Sequence, residues 1–268
     1  MIRSFISRQT VVTGFDPLVL YRSLKAAPSY VSDWLRYSKL KPLTTFRLEL
    51  RNAFPILTDR DASAGLASGH YFHQDLWASR MVFQRQPEKH TDIGSRIDGF
   101  VAHLLTFMPV TIIDIRPLVS NIEGLTVFQD DATTLSRLES KSIDSLSSLH
   151  AAEHFGLGRY SDPIDPEACF KFMKSLQRVL APGGRLYFSV PNGRERVEFN
   201  AHRVFNSNTV LEQFRICSLC LSLMWETMAH FIKIPPLRLC RTATSLAACS
   251  NLRGLEMVII QSFAQSVV

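Results

Sequence analysis

Residues 91–100 read TDIGSRIDGF and run straight into the apolar stretch VAHLLTF at 101–107. A short strand, HTDI at 90–93, meets a glycine at 94, and a second glycine at 99 stands at the mouth of a helix. The turn after a strand is where an open parallel sheet binds its ligands, outside the carboxyl ends of its strands. Gly94 lets the backbone approach a ligand with no side chain in the way. Gly99 opens a helix whose amide groups and positive end favour an electron-rich partner. Spacing alone does not settle the matter, because the turn is not G-x-G-x-x-G and a lone D-x-G before a helix also serves as an ordinary turn.

The strands downstream give the turn its setting. VTIIDI (110–115), LTVFQD (125–130) and SIDSLSSL (142–149) are β-rich runs at regular intervals, each ending in polar or acidic residues. A fourth run, RLYFSVP (185–191), follows a helix with Asp165 as its cap, Pro166 at its first position and Glu167 beside it. Phe170, Met173, Leu176, Gln177 and Leu180 line one side of that helix, and APGG (181–184) stops it. Strand and helix in alternation predict an α/β fold: a Rossmann-like open parallel sheet with helices on both faces.

Ahead of the sheet, HYFHQDLWASRMVF (70–83) reads as a helix with Phe72, Leu76, Ser79 and Val82 on one face. Residues 15–52 read as two or three short helices broken by prolines, with Asp16 and Ser32 as N-caps, and TDRDASAGLASG (58–69) as a linker. The expected division is a basic helical N-terminal region at 1–67, a Rossmann-like domain at 68–214 and an atypical tail at 215–268.

A chain of 268 residues, 46% hydrophobic and 20% charged, has the material for one sizeable core and a small appended lobe. Residues 1–60 hold ten Lys or Arg against four Asp or Glu, which accounts for the whole net charge of +6. Those cations are scattered and no nucleic-acid motif accompanies them, so a solvated surface is favoured over a nucleic-acid partner. No apolar run is long enough to span a membrane, and MIRSFISRQTVV lacks the apolar centre of a secretory signal, so a soluble cytoplasmic protein is the expectation. No motif sets an oligomeric state. Of five cysteines only Cys169 precedes residue 217, and the CSLC pair at 217–220 lacks a second pair or companion histidines, so no metal site is expected.

Three strand ends then carry chemistry. The second ends in Asp114, where a carboxylate can accept hydrogen bonds from both hydroxyls of a ribose. The third ends in Asp130, Asp131 and Ala132, where one carboxylate can take an adenine amino group. The fourth ends at SSLHAAEHFG (147–156). With these residues in place the chain resembles the class I S-adenosylmethionine-dependent methyltransferases. DIGSRIDG stands at their glycine loop, IIDIRP at their ribose-binding acid, DDAT at the adenine position, and VLAPGGRLYFSVP at their fifth strand. More narrowly, GHYFHQDLWAS, DIGSRIDGF, SSLHAAEHFGLGRYSDPIDP and FNAHRVF resemble a domain-of-unknown-function family in that superfamily, seen partly in polysaccharide gene clusters. The resemblance covers about residues 68–214. It implies S-adenosylmethionine as cofactor, bound by Asp92, Gly94, Ser95, Gly99, Asp114, Asp131 and Ala132, and a small-molecule or sugar acceptor. The loop departs from the usual pattern, since Ser95, Arg96, Ile97 and Asp98 fill the space where further glycines stand. That departure keeps open a second reading, a catalytically silent Rossmann-like binding or assembly module.

Methyl transfer is an in-line displacement, so the protein needs to align a nucleophile and take its proton. His150 is the expected base, Glu153 its orienting partner and His154 the third member, brought together by i, i+3 and i, i+4 spacing if the segment is helical. The same trio has the composition of a divalent-metal site, although hard cations prefer oxygen ligands. His70, Tyr71, His73 and Asp75 are candidates for a lid, with Tyr71 or Phe72 offering an aromatic face to the sulfonium, and Arg194, Arg196, His202 and Arg203 for a carboxylate or phosphate on the acceptor.

After Phe214 the resemblance stops. The stretch LCLSLMWETMAHFIKI reads as an amphipathic helix in the written frame. A shifted frame across Met224 to Phe231 and Ser245 to Leu252 permits segments similar to the family's next motifs, which raises a frameshift near Arg215, readable in the nucleotide sequence of the gene. An out-of-frame tail predicts that RLYFSVP is left as an exposed apolar edge.

Overall fold

A computed structural model describes residues 14–40, 48–60, 62, 67 and 69–214, together with the strands Met224–Thr227, His230–Ile232 and Glu256–Phe263. The chain divides into two compact units, the larger being Ser68–Ala264.

The larger unit is built on a sheet. Its strands are β1 (His90–Ile93), β2 (Val110–Asp114), β3 (Leu125–Gln129), β4 (Ile143–Leu149) and β5 (Leu180–Asn192). They lie in the order β3-β2-β1-β4-β5, and every neighbouring pair among them is parallel. The predicted α/β fold, a Rossmann-like open parallel sheet, is the one observed, and the order reverses between β1 and β4. β5 begins at Leu180 rather than Arg185, because the APGG segment continues the pairing with β4 through a register shift between Ile143 and Ser145. The short strands β6 (Arg196–Glu198) and β7 (His202–Val204) form a separate antiparallel hairpin.

Helices cover both faces. On one, α2 (His70–Arg85) and the turn Ile97–Val101 with α3 (Ala102–Leu104) bury Ala78, Val82, Phe100, Val101 and Leu104 against Val110, Ile112, Leu149 and Tyr187. On the other, α4 (Ala168–Val179) and α5 (Ser207–Phe214) bury Phe172, Met173, Leu176 and Phe214 against Ile93, Ile113, Leu146, Leu186 and Phe188. Adjacent residues such as Ile112 and Ile113, or Tyr187 and Phe188, thus serve opposite faces, as the two-residue period of a strand requires.

Several local expectations change. The inward stripe of α2 is Gln74, Asp75, Ala78, Ser79 and Val82, while Phe72 is 45% exposed. The polar members are tolerated inside because they are bonded: Ser189 Oγ donates to Gln74 Oε1 at 2.9 Å, and Ser79 Oγ to the Asp75 carbonyl at 2.7 Å. α4 starts at Ala168, and Asp165 caps the turn before it by accepting from the Glu167 amide at 2.9 Å.

β8 (Met224–Thr227) and β9 (His230–Ile232) fall where an amphipathic helix was expected, and β10 (Glu256–Phe263) pairs along β5 from Arg185 to Asn192. The expected exposed edge is therefore covered. The covering strand runs parallel to β5. Cys217, Cys220, Cys240 and Cys249 lie outside the described residues.

In the smaller unit, α1 (Pro17–Lys39) runs unbroken through Pro28, so Ser32 is a mid-helix residue and not a cap. Asp16 is the cap, accepting from the amides of Leu18 and Val19 at 2.8 and 3.3 Å. Within the segment expected to form a third helix, the described residues hold only a single helical turn, Leu50–Asn52.

Candidate functional site

The reversal of strand order puts the end of β1 beside the end of β4, and both ends carry polar residues. Asp92 is wholly buried on β1. Its carboxylate accepts from the Ser95 amide at 3.0 Å, from Ser95 Oγ at 2.6 Å and from Ser147 Oγ on β4. Ser95 Oγ accepts in turn from the Leu149 amide at 2.9 Å. Burial outweighs these bonds and pushes the Asp92 carboxyl up to about 6. Ser147 spends its proton on Asp92, so it accepts from His90 Nε2 at 2.8 Å, which leaves His90 Nδ1 to accept from Ser145 Oγ at 2.7 Å. His90 is therefore neutral with its proton on Nε2, and burial holds its pKa down to about 3. The glycine loop is tied to β4 from beneath by this chain.

Gly94 adopts φ +71°, and a Cβ added there would stand 2.9 Å from Ala151 Cβ, so the loop passes close over the segment that follows β4. The Gly94 amide donates to the Ile113 carbonyl at 3.1 Å. Gly99 has another task than opening a helix toward a ligand. The turn Ile97–Val101 is of the π type and continues for only the three residues of α3, and a Cβ at Gly99 would lie 2.0 Å from Asp75 Oδ2, so glycine there permits the close approach of α2.

At the end of β2, Asp114 holds Arg116 in a bidentate pair, Nε to Oδ1 at 2.9 Å and Nη2 to Oδ2 at 2.6 Å, and the Arg116 amide also donates to Oδ1. The side chain of Asp114 is 15% exposed. Arg116 lies over the ring of Tyr160 at 4.6 Å, and Arg159 lies over the same ring at 5.2 Å. Asp131 caps its own turn, its Oδ1 accepting from the Thr133 amide at 2.8 Å, and Ala132 belongs to the core.

After β4 the backbone turns sharply. His150 has φ +55°, and its amide donates to the Ser189 carbonyl at 3.0 Å, which pins a conformation costly for a side-chain-bearing residue. Its Nδ1 donates to Glu153 Oε1 at 2.8 Å, fixing the tautomer in which Nε2 is the basic nitrogen. Both side chains are nearly enclosed, at 4% and 2% exposure. Glu153 sits not in an α-helix but in a single 3-10 turn, Ala152–His154. His154 Nε2 stands 3.9 Å from Glu153 Oε1, and its Nδ1 bonds the Ala201 carbonyl at 2.7 Å. Burial lowers the pKa of His154.

The first turn of α2 meets the dyad. The rings of His70 and Tyr71 lie 5.2 and 5.4 Å from that of His150, and Arg96 lies over Tyr71 at 5.1 Å. Burial first, then the neighbouring His150, lowers His70 to about 4. Burial raises the Tyr71 phenol. His73 is half-buried on the next turn.

The acceptor-side cations divide. Arg194 and Arg196 are exposed at the β6–β7 hairpin, with Arg196 paired to Glu198 at 2.8 Å and His202 standing 3.6 Å from the same side chain. Arg203 does not present itself to an anion: it is 8% exposed and donates to the carbonyls of Phe155 and Pro166, fastening the loop after the dyad. Among the described residues no group of three or more His, Cys, Asp or Glu could hold a metal ion. Sequence reading missed Ser147, Arg116 and Tyr160, which lie inside quoted motifs but act through partners distant in sequence or in a turn.

Comparison with known proteins adds three findings. The profile of a family described as Caenorhabditis protein of unknown function, DUF268, matches residues 120–215, from just before β3 to just past α5. No curated protein matches the chain. Among solved structures it is similar to Burkholderia thailandensis 1,6-didemethyltoxoflavin-N1-methyltransferase, solved with 1,6-didemethyltoxoflavin and S-adenosylhomocysteine bound. Identity is 17% and the TM-score 0.40, over 53% of this chain and 65% of that one, so the chain spans less than two thirds of that enzyme.

Proposed function

We propose that the larger unit is an S-adenosylmethionine-dependent methyltransferase acting on a small-molecule acceptor, a sugar or polysaccharide precursor being the narrower form of the reading, in a cytoplasmic setting. The observation that carries it is the His150–Glu153 dyad at the end of β4, directly across the strand-order reversal from the Gly94 loop. Two features fit a nucleoside-bearing cofactor. Gly94 keeps the loop free of a side chain at the crevice, and Asp114 retains an acceptor position on Oδ2 beyond its bond to Arg116. Asp114 would hold the ribose, Asp131 and Ala132 the adenine, and the loop that Asp92 and Ser95 brace would pass beneath the rest. When bound, the cofactor supplies an electrophilic methyl group.

The chain's own residues do the remainder. His150 Nε2 takes the proton of the acceptor hydroxyl or amine, and Glu153, already bonded to Nδ1, steadies the imidazolium that results. His70 and Tyr71 close the crevice above the dyad, His73 behind them, while Arg194, Arg196 and His202 stand on the hairpin by the end of β5 to meet an anionic group of the acceptor.

The bonds already made inside the crevice favour a second reading, the silent binding or assembly module. Asp92 is spent on serines and Asp114 on Arg116. Titration calorimetry with S-adenosylmethionine and S-adenosylhomocysteine separates the two. The enzyme reading expects saturable binding that Asp114→Ala weakens by ~1–3 kcal/mol, the cost of stranding buried donors. Absence of heat at millimolar ligand leaves the silent module.

A further inference from the structure

The helix α1 carries an apolar stripe that nothing among the described residues covers. Leu20, Leu24, Val31 and Leu35 follow one another at intervals of four, seven and four residues, which returns each to the same side of a helix, and they are 47%, 65%, 54% and 54% exposed. None of the 23 residues of α1 is buried. The opposite side presents Arg22, Lys25, Ser29 and Arg36, and Lys39 follows in the last turn. Tyr30 and Trp34, their rings 6.2 Å apart, sit at the boundary between the two faces, where an amphipathic ring is best placed at an apolar–aqueous border.

Charge selects the occupant. Of the two acids here, Asp16 is spent on the helix cap and Asp33 is paired with Arg60, so the cations of α1 set the sign of its polar face. A second copy of the chain would bring a like-charged rim against this one and repel it. A lipid surface with anionic headgroups meets both halves of the helix at once: acyl chains accept the stripe, and headgroups accept the cations at its edges. We propose that α1 lies flat in the interface of an anionic lipid bilayer and holds the protein to that surface. It does not span the bilayer, since no described helix is long and apolar enough to do so.

Flotation of the full chain with lipid vesicles tests this. Recovery is expected with vesicles containing phosphatidylserine, little with phosphatidylcholine alone, and a decline as salt is raised. Lys25→Gln and Arg36→Gln should each weaken partitioning about fivefold, the worth of one basic residue near an anionic surface. Leu24→Glu with Val31→Glu should abolish it while the melting temperature of the protein stays unchanged, because neither side chain is buried. Equal recovery on neutral and anionic vesicles, no recovery on either, or flotation of the double variant like the parent would overturn the proposal. So would a concentration-dependent dimer that the double variant dissolves, which assigns the stripe to a second copy.

Discussion

Two amphipathic helices of this chain have opposite fates. α4 is twelve residues long and buries six of them, Phe172, Met173 and Leu176 among them, wholly against the sheet. α1 is 23 residues long and buries none. Both are periodic at the helical repeat, so periodicity tells that a face needs a cover and not where the cover comes from. For α4 it comes from the strands of the same unit, whose alternate residues were built to receive it. For α1, no described residue supplies it.

The largest effect that tests the contrast is on packing. Phe172→Ala should cost ~3–5 kcal/mol of unfolding free energy, the penalty of emptying a close-packed core, whereas Leu24→Ala should stay within ~0.5 kcal/mol. Urea denaturation measures both, and a comparable loss at Leu24 would mean that the stripe is covered within the chain after all.

A smaller effect comes from two titrating groups that lie wholly buried in the larger unit. Asp92 is raised to about 6, so the folded state holds its proton over a range where the unfolded state has released it, and stability from this group is lost as pH rises from about 4 to about 6. His90 is lowered to about 3, so the unfolded state binds a proton that the folded state refuses, and stability is lost as pH falls from about 6.5 toward 3. Between about pH 4 and 6 the two slopes oppose, each at most ~1.4 kcal/mol per pH unit. Asp92→Asn removes one of them, and its stability should therefore fall more steeply with acid than the parent's. Parallel profiles for the two proteins would show that Asp92 does not titrate there.

The smallest effect concerns α1 alone. Asp16→Ala removes a cap worth ~1 kcal/mol and should reduce helical circular dichroism while the cooperative melting of the sheet is unmoved. A shift in that melting would tie α1 to the core.

Much of the larger unit is legible before folding. β1 to β4 begin and end within a residue of their sequence-read bounds, because runs such as VTIID, flanked by turns, fit few alternatives. Pro28 misled in the other direction: in an exposed helix the carbonyl it deprives of a partner can turn to water, so the helix continues. On α2, Ser79 and Val82 go inside as read, but Phe72 stays out and Gln74 and Asp75 go in, because hydrophobicity patterns discount polar residues that are buried with hydrogen bonds. In the site, the positions of the acids at strand ends were readable and their partners were not. Asp92 meets Ser147 across 55 residues of chain, and no local pattern announces a pairing at that distance.

That pairing has a use apart from the site. A strand buried on both faces, such as SIDSLSSL, can slide past its neighbour by two residues and still present the same face, so greasy contacts alone leave its alignment ambiguous. In this sheet Asp92 lies opposite Ser147, and His90 reaches Ser145 and Ser147 together. A slide of two residues one way would set Asp92 against Leu149 and cost its carboxylate the Ser147 bond, and the other way would set His90 against Ile143 and cost its imidazole a serine in the dry interior. The polar chain beneath the loop is thus a key cut for one lock, an alignment mark that the chain can check only once both strands are in place.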